Sequence, residues 1–294
     1  MSTRRWISLL FCACLPGWAG ADECHDALAA FDYVRAEKLA HLRLAEQARD
    51  GSALMCEARA AYETGRFVAA LDILRRVEAL QPQGEARTYL YNWLTVTLRK
   101  LGREREAMQY GQAALARARG ETSRQNLATA LHNFAGLMWE RLDASNAIAL
   151  YLESIPLNPD LSERSASLNN LGLIFQALGQ PVAAEQRLQE AIAINREHGH
   201  FHHLGKHLMN LGNLYREQRR FAEAASRLEE GAILIELVGD LYWQAVAARY
   251  RGWLARDQRD WAAAGRWLAE AARSYELAGA VADARSTRAE LARL

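Results

Sequence analysis

Apolar residues in this chain recur at three- and four-residue steps. In SLNNLGLIFQALG, residues 167–179, Leu168, Leu171, Phe175 and Leu178 fall at i, i+3, i+7 and i+10, one face of a helix that Gly179 ends. Pro181 then opens a second helix, where its missing N–H is harmless; that helix turns Leu188, Ala191 and Ile192 inward and runs to about His198. The pattern predicts a helical hairpin.

The hairpin repeats. A small residue followed twelve positions later by alanine occurs as Ala58 and Ala70, Thr95 and Ala107, Ala135 and Ala147, Gly172 and Ala184, Gly212 and Ala224, and Gly252 and Ala264. Successive pairs are 37, 40, 37, 40 and 40 residues apart, and Cys24 with Ala36 lies 34 residues before the first. Two antiparallel helices joined by a short turn approach closely only where neither presents a large side chain, so each pair marks a crossing point. Leucine at Gly212 or Ala224 should wedge its hairpin open.

These units resemble tetratricopeptide repeats. LNNLGLIFQALGQPVAAEQRLQEAI and LMNLGNLYREQRRFAEAASRLEEGA carry the family's leucine-glycine, aromatic, alanine, leucine and alanine positions in order, and Pro82 and Pro159 stand where the family often ends a repeat. The longer units are similar to the tandem arrays of kinesin light chains and of many bacterial signalling proteins. The resemblance implies an all-α, right-handed α-solenoid of about six to seven hairpins: an atypical hairpin over 22–50, six repeats over 51–280 and a C-terminal capping helix over 281–294. In that last helix Ala284, Ala289 and Leu291 are expected on the inner side, and Asp283, Arg285, Arg288 and Glu290 mostly on the outer. Arg251 at the usual leucine position, and 257–260 in place of the usual glycine turn, predict looser packing of the sixth repeat.

In this family the first helix of each hairpin lines a concave surface that binds peptides. By that resemblance the candidate groove residues are Asn92, Trp93, Arg99, Asn133, Asn170, Lys206, Asn210, Asn213, Arg216, Tyr250 and Arg256. Asn133, Asn170 and Asn210 share one repeat position and are expected to stack as a ladder against a peptide main chain, because an amide offers both a donor and an acceptor. The neighbouring cations point to a ligand with acidic residues or a free carboxylate. Core packing for Trp93 and Trp253, and a pair with Asp257 or Glu270 for Arg256, remain open as the plainer alternatives.

Charge and the chain's first residues add a location. Residues 1–21 combine Arg4 and Arg5, the short apolar run WISLLFCACL and AGA ending at Ala21, the form of a cleaved signal peptide, with a retained short anchor as the alternative. Cleavage turns the formal +1 charge into about −1, so no basic field points to nucleic acid, and no second apolar run points to a membrane. It also removes Cys12 and Cys14, leaving Cys24 and Cys56 as a candidate disulfide in an exported, periplasmic compartment. Counted in the repeat frame, however, their side chains point about 200° apart, which argues against bridging.

REHGHFHHLGKHLMNLG, residues 196–212, holds five of the eight histidines and falls at a repeat junction, with 199–204 predicted as linker and Gly205 as the start of the next hairpin. It is no phosphate loop, since five residues separate Gly199 and Gly205, His207 stands in place of a hydroxyl and no strand precedes it. His198, His200, His203 and His207 stay as candidate metal ligands. No HExxH, CxxC or GxSxG is present, so neither catalytic residues nor a cofactor are expected. Three functions remain open: an adaptor binding a partner's peptide in its groove, an inhibitor or immunity-type regulatory protein docking a folded partner, and a metal-binding protein.

Overall fold

The structure, a computed structural model, describes residues 23–29 and 32–294; the expected signal segment, with Arg4, Arg5, Cys12 and Cys14, lies outside them. All regular elements among the described residues are α-helices, in an all-α fold of the α-solenoid type. They fall into two compact units divided after Asp143. The first holds α1 (Glu23–Ala29), α2 (Tyr33–Glu46), α3 (Gly51–Glu63), α4 (Phe67–Ala79), α5 (Gly84–Lys100), α6 (Glu104–Ala118) and α7 (Arg124–Glu140). The second holds α8 (Ala144–Leu157), α9 (Leu161–Ala177), α10 (Pro181–His198), α11 (Phe201–Glu217), α12 (Phe221–Val238), α13 (Leu241–Asp257), α14 (Trp261–Leu277) and α15 (Val281–Leu291).

Within each unit consecutive helices pair as antiparallel hairpins. The small residues explain the pairing. A Cβ on Gly212 would lie 2.8 Å from Leu228 Cγ and 3.2 Å from the Ala224 carbonyl oxygen. Gly172 and Gly252 meet Leu188 and Leu268 in the same way, each at 2.9 Å. The buried alanine thus lets the backbones approach, and a buried leucine one turn later covers the glycine.

The turn seven residues after each small residue adopts a left-handed conformation, at Gly65, Gly102, Leu142, Gly179, Arg219 and Arg259. The next N–H reaches back to the carbonyl five residues earlier, as in Gln180 to Phe175, Arg220 to Tyr215 and Asp260 to Ala255, each at 2.9 Å. The sixth repeat therefore turns like the fifth. Arg259 takes φ 64°, Asp260 caps α14 through the Ala263 N–H at 2.9 Å, and Arg251 pairs with Glu229 at 2.6 Å over the Trp267 ring. The expected looser packing has no counterpart in this geometry. Glycine at Arg219 or Arg259 should stabilise the fold by about 1 kcal/mol each, the strain of a left-handed side chain less the entropy of glycine. The check is a higher urea midpoint at unchanged m-value.

Two local expectations are corrected. Gly199, at φ 70°, ends α10, and α11 starts at Phe201 rather than after a linker reaching 204. Gly205 lies inside α11, where its Cβ would come within 3.1 Å of the Gly231 carbonyl oxygen. In α15 the buried residues are Ala284 and Thr287, while Ala289 is exposed and Glu290 turns inward to Arg249 and Trp253.

Cys24 and Cys56 are joined, with Cα atoms 6.4 Å apart, inside a cluster containing Ala36, Ala40 and Ala60. The 200° argument failed because it assumed that α1 keeps the register of later first helices.

Candidate functional site

In the second unit the first helices α9, α11 and α13 pack side by side. Their shared face carries amides, but not as a 40-residue ladder. Asn210 donates through Nδ2 to Asn169 Oδ1 at 2.9 Å, and Asn170 turns instead to the Tyr151 hydroxyl at 3.1 Å. Neighbouring first helices meet at an offset of 41. Gln176 and Glu217 (2.7 Å), Arg216 and Asp257, and Arg249 and Glu290 obey the same offset. Asn210 is 5% exposed, Asn213 is 8% exposed and bonded to Glu217, and Asn170 is half-buried.

The cations expected on this face already hold carboxylates. Arg216 reaches Asp257 and Glu217 and lies 5.4 Å over the Trp253 ring, Arg256 takes the other Asp257 oxygen at 3.1 Å, and Lys206 stands 3.8 Å from Asp240 above Trp243. Burial pushes the Asp240 carboxyl up, but His202, the Trp243 N–H and Lys206 together draw it below the usual range. Tyr250 packs 5.3 Å from Trp253, and burial raises its phenol. The face is thus a web of indoles, guanidinium groups and carboxylates. Its cations carry less unspent charge for an acidic ligand than the sequence suggested. Of the two plainer alternatives for Arg256, Asp257 is the partner.

The first unit has its own set. Trp93 is half-buried between Tyr62 (5.4 Å) and Tyr89 (6.4 Å), with the Arg59 guanidinium 5.3 Å from its ring. Arg99 pairs with Glu140 at 3.2 Å, again at an offset of 41. Asn133 lies on α7 and is 9% exposed. Asn92 is not a groove residue: it is 2% exposed and donates to the Asn126 carbonyl at 3.4 Å, sealing α5 against α7.

The histidines are taken up structurally. His207 is 3% exposed and its Nδ1 accepts from Asn195 Nδ2 at 2.9 Å, while Asn195 Oδ1 accepts from the Ser165 hydroxyl at 3.0 Å. This buried relay ties α9, α10 and α11 together. Burial, with His203 and Lys206 nearby, lowers His207 to about 3; His203 falls to about 4 for the same reason. His202 bonds Asp240 at 2.7 Å, and His198 bonds the Ile194 carbonyl at 2.9 Å. Among the described residues no three His, Cys, Asp or Glu side chains are placed to hold one ion, so His198, His200, His203 and His207 do not converge on a metal.

A histidine neutral in the fold and ordinary when unfolded costs nothing above pH 6.5. As pH falls from there toward about 3, the unfolded chain takes up a proton that the fold refuses. His207 should therefore remove about 1.4 kcal/mol of stability per pH unit in that window. The gap between urea midpoints at pH 7 and 5 should narrow in His207→Gln, whatever its absolute stability, but not close, because His203 and His132, each lowered to about 4, lose stability in the same window.

Tyr151, Glu217 and Glu290 were not anticipated on these faces. The signal for the two acids was available in the sequence, as a carboxylate 41 residues after Gln176 and Arg249.

Residues 163–232, running from α9 into α12, match the tetratricopeptide repeat family model. No curated protein sequence matches the chain. Among solved structures it is similar to a chain of the APC/C hetero-tetramer Cut9–Hcn1 (TM-score 0.62, 15% identity, 72% of this chain and 39% of that one). It is similar also to a Rap protein complexed with competence and sporulation factor (TM-score 0.61, 14% identity, 92% and 95%). A third similarity is to a signal-transduction ATPase of the STAND class with a tetratricopeptide repeat sensor, from Pyrococcus horikoshii (TM-score 0.69, 15% identity, 87% and 39%). The chain thus spans about two fifths of the first and third and nearly all of the second. At these identities the likeness is one of fold.

Proposed function

We propose that this chain, which carries tetratricopeptide repeats, is a non-enzymatic interaction scaffold that binds an extended peptide segment of a partner protein along its first-helix faces. The observation that carries the reading is the amide group of α9 and α11. Asn210 gives one N–H to Asn169, and among the described residues no partner takes its second N–H or its carbonyl oxygen. Asn170 likewise keeps one N–H. These match the alternating acceptors and donors of a peptide main chain. A relative of the same fold is known in complex with a competence and sporulation factor, which supports a ligand-binding reading. Because the cations of this face are already paired, we place selectivity in shape and in the aromatic residues Tyr250 and Trp253 more than in ligand acidity.

The test uses a peptide selected by display against the wild-type chain. Replacing Asn170 and Asn210 with alanine removes about 1 kcal/mol per amide, so affinity should fall roughly thirtyfold if the terms add. Asn169 loses its partner, so stability should drop by about 1 kcal/mol. A folded double variant that binds at wild-type strength would contradict the reading.

We propose further that the chain works in an oxidising, exported compartment; the joined Cys24 and Cys56 support this. The intact mass of the natively expressed protein should correspond to residues 22–294 with two fewer hydrogens. A full-length, reduced mass would count against it.

A further inference from the structure

In an antiparallel hairpin the turn lies at one end and the junction to the next hairpin at the other. The second unit therefore has two edges, and their chemistry differs. At the turn edge, Arg219 and Phe221 follow α11 and Arg259 and Trp261 follow α13, 40 residues on. Both arginines are exposed, and neither has a carboxylate partner among the described residues. Both also keep the left-handed turn conformation that Gly179 fills in the preceding hairpin, so a strained position is occupied by a cation twice. Trp261 is 54% exposed.

At the junction edge, Glu236 and Leu237 lie in the last turn of α12, and Glu276 and Leu277 in the last turn of α14, again 40 residues apart. Leu237 is 78% and Leu277 75% exposed. Glu236 is exposed, and Glu276 holds Arg288 only through an exposed contact. Since both edges belong to one stack, one repeat separates the two cations and the same repeat separates the two acids. Cation-aromatic pairs on one edge can therefore meet acid-aliphatic pairs of another copy in register.

We propose that this protein associates with a second copy of itself side by side, the Arg219 and Arg259 edge of one second unit meeting the Glu236 and Glu276 edge of the next. The two surfaces are different, so the contact is head-to-tail and leaves an edge open on each side. It joins exposed charges and a modest apolar strip, so association should be weak and salt-sensitive.

Sedimentation velocity of the oxidised chain 22–294, from about 1 to 100 µM, tests this. Wild-type protein should show concentration-dependent association that weakens roughly tenfold between 0.05 and 0.5 M NaCl. One variant carries Arg219→Glu and Arg259→Glu, the other Glu236→Arg and Glu276→Arg. Each alone should be monomeric with unchanged helicity, and an equimolar mixture should associate again because both contacts regain opposite charges. Three results would overturn the proposal: wild-type protein that stays monomeric throughout, variants that associate like wild type, or a mixture that does not recover.

Discussion

Leucine at position 212 should unfold the α11–α12 hairpin. A Cβ there already comes within 2.8 Å of Leu228 Cγ, and the Ala224 carbonyl oxygen at 3.2 Å is backbone that cannot swing aside. Leucine adds three more heavy atoms to that space. Its better helix propensity returns only about 1 kcal/mol, against an overpacking loss expected above about 4 kcal/mol because helix, not side chain, must move. Two milder substitutions calibrate the effect. Gly231→Ala places a Cβ 2.8 Å from the Gly205 carbonyl oxygen and should cost about 2 kcal/mol, whereas at Gly265 the nearest atom is 3.9 Å away and alanine should stabilise by about 1 kcal/mol. Urea unfolding read by circular dichroism gives all three. A Gly212→Leu protein within 1 kcal/mol of wild type would show that close approach does not set the hairpin geometry.

Deleting residues 281–294 should also be severe. The deletion uncovers the side of α14 against which Ala284 and Thr287 are buried. It takes Glu290 from two partners at once, Arg249 and the Trp253 indole N–H at 2.7 Å. Burial raises the Glu290 carboxyl, but Arg249 and Trp253 draw it below the ordinary range, so the pair is a stabilising one near neutral pH. The loss of cap and charge pair together should be about 4 kcal/mol, or roughly 10 °C in Tm. Stacked repeats couple mainly to their neighbours, so hydrogen exchange should quicken in α13 and α14 and little in α9 and α10. Glu290→Gln separates the charge pair from the packing and should lose about a third of the total.

How much of this was legible follows from which interactions are local. Gly212, Ala224 and the turn at Arg219 lie within one hairpin, and their spacing repeats along the chain, so hairpin and crossing point could be read directly. The pairing of Asn210 with Asn169 rather than Asn170 could not, because it depends on the angle at which α9 and α11 cross. Asn92 illustrates the same limit. Its repeat position suggested the groove, but the packing of α5 on α7 turns it inward. The histidines were visible as a cluster, yet the burial of His207 against Asn195 is a property of three helices together.

The central claim is that a peptide lies along the first-helix faces, and site-specific photo-crosslinking tests it most directly. Benzoylphenylalanine placed at Leu173, half-buried on α9, should capture a display-selected peptide, while the same group at Gln186, exposed on α10, should not. Capture at Gln186 with none at Leu173 would place the ligand on the second helices and contradict the account.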